Sequence, residues 1–308
     1  MKTRKRYILV KMESTYGTDP TPTASDAVLT NGLQREIYSG PTVSRETDLS
    51  TLGAREQINT APMVTRTFST EMMGTGTLGT PPNYGALLRA CGFAETISAS
   101  TDVQYDPVSS SFESIAMYMD RDGEREISLG CRATGGLSFA AGQIPLFNFV
   151  VTGLYTKPAA QTLVTPAYSP NIAPYPVNKA NTPTCTLGAY DLQLQSLDID
   201  FGNNVPHVNL VNYEEVLITD RAMSGTMTIL APLISTKDMF ALVESHAGIT
   251  TSAFQLIHGP TPNIVQLDAP AMQLTGISEV DINGEQGYQL PFILKPSSGD
   301  DELKITFK

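Results

Sequence analysis

The stretch EISLGCRATGGLSFAAGQIPLFNFVVTGLY, Glu126 to Tyr155, decides the architecture. Apolar and polar residues alternate in it, Val, Ile, Phe and Thr are frequent, and Gly and Pro interrupt it. That is the pattern of β-strands joined by turns. Far downstream the chain writes NIVQLDAPAMQLTGISEVDINGEQGYQLPFILKP, Asn263 to Pro296, which reads as a degenerate copy of the same passage.

Working outward from the two passages, the flanking segments match in order. On the N-terminal side come a polar extended segment (Val43 to Asn59), the strand VTRTFSTEMM (Val64 to Met73), a short helix YGALLRACGF (Tyr84 to Phe93) and SIAMYM (Ser114 to Met119). The turn DRDGER (Asp120 to Arg125) leads into the first passage. On the C-terminal side come an extended segment (Val205 to Leu217), the strand RAMSGTMTILA (Arg221 to Ala231) and a helix over Ser235 to Gly248. Ser235 is its expected cap, with Asp238 three residues on and Gly248 as its stop. SAFQLIHG (Ser252 to Gly259) and the turn PTPN (Pro260 to Asn263) complete the series, and Pro145 and Pro291 are expected to correspond within the closing strands.

Between the copies, Thr156 to Thr186 carries prolines at 158, 166, 170, 174, 176 and 183. Proline removes backbone donors and favours extended chain, so a semi-rigid connector is expected. The division is therefore a first domain over 1–155, a Pro-rich linker over 156–187 and a second domain over 188–308. One helix is too little to cover a sheet of several strands. Each unit is expected to be mainly β, a β-sandwich or α+β arrangement with one flanking helix.

Composition narrows function. Hydrophobic content of 41% and charged content of 17% describe a folded chain, and a net charge of -11 argues against a surface built to grip phosphates. Cys91, Cys131 and Cys185 are odd in number and widely spaced, which fits neither a disulfide framework nor a zinc site and suits synthesis in a reducing cytosol. The basic start is followed by only four uncharged residues before Lys11, short of a signal-peptide core, and no apolar run has membrane-spanning length.

Three motifs suggest chemistry and each has a plainer reading. GTGTLG (Gly74 to Gly79) follows a strand and precedes a helix, but Pro81 and Pro82 separate it from the helix whose N-terminus a dinucleotide would need; a Gly/Thr loop is the reading preferred. DRDGERE lacks the glycine position and the flanking helices of a calcium loop and reads as a hairpin turn on Asp122-Gly123. His207, His246 and His258 stand in no HExxH frame, no GxSxG elbow accompanies them, and they are taken as surface or interface residues. No catalytic, cofactor-binding or metal-binding residue is assigned, and no cofactor.

KMESTYGTDPTPTASDAVLTNGL (Lys11 to Leu33), YGALLRACGFAETIS (Tyr84 to Ser98), YDPVSSSFESIAMY (Tyr105 to Tyr118), VNKANTPTCTL (Val177 to Leu187) and VLITDRAMSGTMTILAPLISTKDMFAL (Val216 to Leu242) together resemble the tail tube, or major tail, proteins of phages with long, non-contractile tails. The resemblance runs nearly end to end and contains no catalytic signature. It implies a structural virion protein whose inner strands join into a closed barrel on oligomerisation, in rings that stack into a tube through which DNA passes. With two tandem units, three chains supply six quasi-equivalent positions. It also implies contacts with the tape-measure protein and with tail terminator and distal tail proteins, and a place in the virion tail.

On that reading Thr67, Ser69, Glu71, Asp220, Ser224 and Thr226 are lumen-facing candidates, against the alternative that they meet bulk solvent. Arg45, Glu46, Asp48, Arg55 and Glu56 are inter-ring contact candidates. The competing functions are a receptor- or sugar-binding decoration sandwich, which predicts ligand affinity without tubes, and an enzyme with an unrecognised pocket.

Overall fold

The computed structural model describes residues 2–168, 172–246 and 248–308; Pro170 of the linker and Ala247 of the expected second helix lie outside the described residues. The first unit consists of β1 (Arg6–Met12), β2 (Asn31–Ser39), β3 (Met63–Glu71), α1 (Gly85–Ala90), β4 (Phe93–Ser98), β5 (Asp102–Pro107), β6 (Ile115–Arg121), β7 (Glu124–Ala140) and β8 (Leu146–Leu154). The second consists of β9 (Thr184–Leu187), β10 (Leu194–Asp200), β11 (Ser224–Leu230), α2 (Phe240–Val243), β12 (Ser252–His258), β13 (Val265–Leu274), β14 (Ser278–Ile282), β15 (Glu285–Leu294) and β16 (Lys304–Phe307). The chain is mainly β, as its alternation predicts.

The opening passage of the sequence holds the decisive strand. β7 is 17 residues long, and its pairing with β6 shifts register between Ser128 and Cys131, where Gly130 takes φ +58° against the Tyr16 ring. Only glycine adopts that conformation at low cost, and a bulge of this kind bends a strand out of its sheet. The first half of β7 pairs with β6, which pairs with β1; the second half pairs with β8 on one side and β10 on the other. One strand thus belongs to both layers.

The second unit repeats this plan. β13 pairs with β12 in its first half and with β15 in its second, β12 pairs with β9, and β14 continues along β15 after a break at Thr275 to Ile277. Both units also extend a hairpin between matching strands: Thr42–Ser44 with Gln57–Asn59, and His207–Leu210 with Tyr213–Val216. Thr184–Leu187, within the range read as linker, is a strand of the second unit's outer layer, paired with β12 on one side and with Tyr190–Asp191 on the other.

A single sheet of eight strand positions runs through the whole chain in the order β2, β3, β8, β7, β10, β11, β15 and a last position shared by β13 and β14. Its inward face buries Phe68, Leu137, Phe147, Phe149, Leu197, Met227 and Leu290 in one core that spans both units. The outer layers close over that face, with β16 pairing on both β13 and β5 and so tying the chain's end to the first unit. Phe307 meets Tyr84 and Tyr105, and Phe93 meets Phe201 edge-on at 5.0 Å, so aromatic burial contributes to the joint.

Three expectations are corrected. The second helix is a single turn, Phe240–Val243, capped by Asp238, whose Oδ1 accepts the Ala241 N–H at 3.0 Å; Ser235 instead lies in a turn closed on Leu233. None of the four residues of that turn is buried, so no apolar face prolongs it. Pro145 precedes β8 and offers its carbonyl to the Met72 N–H at 2.8 Å, whereas Pro291 lies inside β15 opposite Thr226, so the two prolines do not correspond. His258 is not a surface residue: it is 2% exposed, with Nδ1 on Thr182 Oγ1 at 2.8 Å and Nε2 on the Tyr175 carbonyl at 3.1 Å. Burial lowers its pKa.

Candidate functional site: the open face and free ends of the sheet

The outward face of the eight-stranded sheet is bare. Direct opposition places Thr67 beside Val150, Ser69 beside Asn148, Asp198 beside Thr226 and Asp200 beside Ser224, all on that face. All of these but Ser69 line a shallow groove of about 460 Å³ across the joint between the units. Ser69 Oγ donates to Asn148 Oδ1 at 2.7 Å, so the hydroxyls and amides are held across strands. Glu71 lies further along the same face, opposite Leu146.

Charge on the sheet is sorted by exposure. Its strands contain no lysine. Of their arginines, Arg35 and Arg66 oppose each other on the inward face with side chains 13% and 1% exposed. Arg132 falls by register on the face of Thr67 and Asn148 but is covered by the second unit's hairpin and 9% exposed, and Arg125 in the first half of β7 pairs with the buried Asp120. Arg35 and Arg66 close on the buried Glu126, and Arg66 also donates to Ser128 Oγ at 2.8 Å. Desolvation lowers the Arg66 pKa to about 10, so this guanidinium stays charged at neutral pH. Carboxylates, by contrast, occupy the open face: Glu36, Glu71, Asp198 and Asp200. Partial burial raises the Asp198 pKa above the ordinary aspartate value.

Five of the six residues singled out for a polar wall, Thr67, Ser69, Glu71, Ser224 and Thr226, lie on this face. Asp220 does not join them. It pairs with Asn204 in a separate two-stranded ribbon, because the chain leaves the sheet at Ala222 and Met223. Sequence reasoning missed Glu36, Asn148, Asp198 and Asp200, although the alternation of SLDIDF already put Asp198 and Asp200 on one face.

The charged hairpin residues are occupied within the hairpin. Arg45 pairs with Glu56 across it, and Arg55 donates to the Thr47 and Gly53 carbonyls at 2.8 and 2.9 Å. Glu46 and Asp48 are exposed beside them. What the hairpin presents outward is apolar: Leu49 is 59% and Leu52 fully exposed. The second hairpin likewise presents Leu210 and Val211, the latter 93% exposed. Its base is held from the first unit, where Arg132 donates to Glu215, to the Val216 carbonyl at 2.6 Å and to the Phe112 carbonyl at 2.9 Å. The Val216 N–H donates to the Tyr16 hydroxyl at 2.7 Å.

The sheet is unfinished at both ends. Among the described residues β2 pairs only with β3, and β14 only with β15, which leaves their outer backbone groups free. No group of His, Cys, Asp and Glu side chains that could hold a metal ion occurs among the described residues, and no described helix is long and apolar enough to cross a membrane.

A sheet with open edges, an acidic outer face and apolar hairpin tips defines a component of a larger structural assembly. Comparison with known families makes that specific: residues 3–292 match the phage tail tube proteins, and the chain belongs to that family. No curated protein matches the chain. Its role is structural, by self-assembly into the tube of a virion tail.

Proposed function

We propose that three copies of this chain close into a ring of six similar units, that rings stack into the tail tube, and that the open face of the eight-stranded sheet becomes the wall of the bore through which the genome passes. The observation that carries this reading is the joint inside the chain. β7 and β10 pair antiparallel from Gly136 opposite Asp200 to Ala140 opposite Ser196, and so unite the two units in one sheet. β14 and β2 occupy the corresponding positions at the free ends. The same pairing between β14 of one copy and β2 of the next would continue the sheet, and closure removes every open edge.

The sorted charge supports the assignment of the face. A wall of carboxylates and hydroxyls repels phosphate and offers no lysine or arginine for it to bind, which suits passage without retention. Thr67, Ser69, Glu71, Ser224 and Thr226, with Asp198 and Asp200, line the bore on this reading.

Both hairpins leave the sheet at the same end, where β2 and β10 finish, and we assign them to contact with the neighbouring ring. Arg45, Glu56 and Arg55 shape the first hairpin, while Leu49, Leu52, Leu210 and Val211 supply apolar contact. The tape-measure protein before ejection, and the terminator and distal tail proteins at the tube's ends, are the further partners this role requires.

Electron microscopy of the purified protein at rising concentration, with classification of ring symmetry, tests the proposal. Three chains and six similar lobes per ring are expected. Rings of six chains, or a chain that stays single at every concentration, would refute the stoichiometry or the assembly respectively.

A further inference from the structure

The joint within the chain has a second level outside the sheet. The loop after β3 meets the turn before β13: the Gly76 N–H donates to Asn263 Oδ1 at 2.8 Å, and a Cβ on Gly74 would fall on the Asn263 backbone. Each half of this contact has a counterpart at a free end of the sheet. The loop after β11, Ala231 to Thr236, stands where the loop after β3 stands. The turn from Arg121 to Glu124, between β6 and β7, stands where the turn between β12 and β13 stands.

Both counterparts are open to solvent and complementary. Leu233 and Ile234 at the tip of the first are 75% and 61% exposed. Beside the second lies a cleft of about 680 Å³ between the N-terminal segment and the linker, with Tyr7, Leu163 and Val164 in its apolar lining. The linker side is fixed, since Tyr7 Oη donates to the Val164 carbonyl at 2.6 Å. Exposed Arg4, Lys5 and Arg6 line the same cleft, while exposed Asp238 and Glu244 follow the loop. The hairpin of β4 and β5, which receives β16 in the first unit, has no counterpart among the described residues between β11 and β12. The short loop and α2 are left as the free flank of the second unit.

Resting on the ring reading, we infer that Leu233 and Ile234 of one copy seat in the cleft between Arg4–Tyr7 and Gln161–Pro166 of the next copy. This contact repeats outside the bore the lock that Asn263 makes within the chain, with apolar side chains and opposite charge in place of one hydrogen bond. It would give the ring a lateral fastening besides its shared backbone pairing.

The test is site-directed crosslinking in assembled tubes of the full chain carrying Leu233→Cys and Val164→Cys, treated with a short flexible bis-maleimide. Native Cys91, Cys131 and Cys185 are buried and stay unreacted. The double variant is expected to give a ladder on a denaturing gel that stops at three chains, with either single variant remaining at one chain. Tubes that form normally but give no more product than the single variants overturn this contact and leave the ring reading standing. A ladder continuing past three supports the contact and refutes closure by three; an unsubstituted chain that forms no rings overturns both.

An independent measurement is the assembly threshold of Ile234→Glu. Loss of one buried apolar side chain should raise it on the order of tenfold, with thermal unfolding of the free chain unchanged. An unshifted threshold overturns the contact.

Discussion

Arg132 holds the second unit's hairpin from the first unit, and does so nearly out of solvent. Its carbonyl partners Val216 and Phe112 and its ion-pair partner Glu215 all lose their donor in Arg132→Met. Stranding buried acceptors and a carboxylate costs about 2–4 kcal/mol, and chemical denaturation should show a fall of that size with new protease cleavage near 207–216. An unchanged midpoint would show that the hairpin is held by something else. Asp300 predicts a pH dependence. Hydrogen bonds from Ser109 and Arg221 lower its pKa in the folded chain, so it binds protons more readily when unfolded. Its stabilising share is complete above the ordinary aspartate pKa of about 3.8 and is lost as pH falls through the lower folded value. Thermal unfolding followed from pH about 5 downward should therefore fall less steeply in Asp300→Asn than in the native chain. Because Arg221 also donates to the Val108 carbonyl at 2.6 Å, acid is expected to loosen the joint between units.

Elements were legible in the sequence where period-two alternation and turn chemistry agree. Met63–Glu71 buries Val64, Arg66, Phe68 and Thr70 on one side, and the hairpin turn at Asp122-Gly123 takes positive φ at both residues, as such a turn requires. The short apolar segment at Tyr84 forms a helix and ends at Gly92 with φ +82°. The second helix is over-read, because a cap and a stop mark possible ends without supplying a buried face between them. The union of both units in one sheet was not legible. It depends on Gly130, one of 24 glycines, bending β7 so that its second half offers an edge to β10. Nor does an ion-pair pattern say whether its members reach a neighbour or each other, and Arg45 and Glu56 reach each other. The hairpin tips then predict a separation of steps. Leu52→Glu should permit rings and block their stacking, whereas Arg45→Ala should change stacking little, an exposed pair contributing about 0–1 kcal/mol. Negative-stain images of both variants decide it; stacked tubes from Leu52→Glu together with loss of stacking in Arg45→Ala would reverse the assignment.

For the whole molecule, the sequence-wide charge of -11 and its local arrangement bear on different questions. Net charge alone concerns solubility, but a sheet whose arginines are turned inward or covered and whose open face carries Glu36, Glu71, Asp198 and Asp200 imposes a sign on whatever lies along it. On the proposed reading, DNA moving through the bore would meet repulsion on all sides and no exposed lysine or arginine at which phosphates displace counterions. Asp198→Lys with Asp200→Lys reverses that at adjacent alternate positions of β10, both exposed, so folding and ring closure should survive. In a closed ring of three, the two substitutions add six ammonium groups at one level. Each phosphate contact they make brings a salt dependence of about 0.9 in the logarithmic slope on duplex DNA, so the expected defect is greatest at low ionic strength and relieved by added salt. Particles with normal tails should then eject DNA more slowly, and fluorescence of released DNA against salt concentration measures it. An ejection rate equal to that of native particles at every salt concentration would place β10 outside the bore, and with it the open face of the sheet.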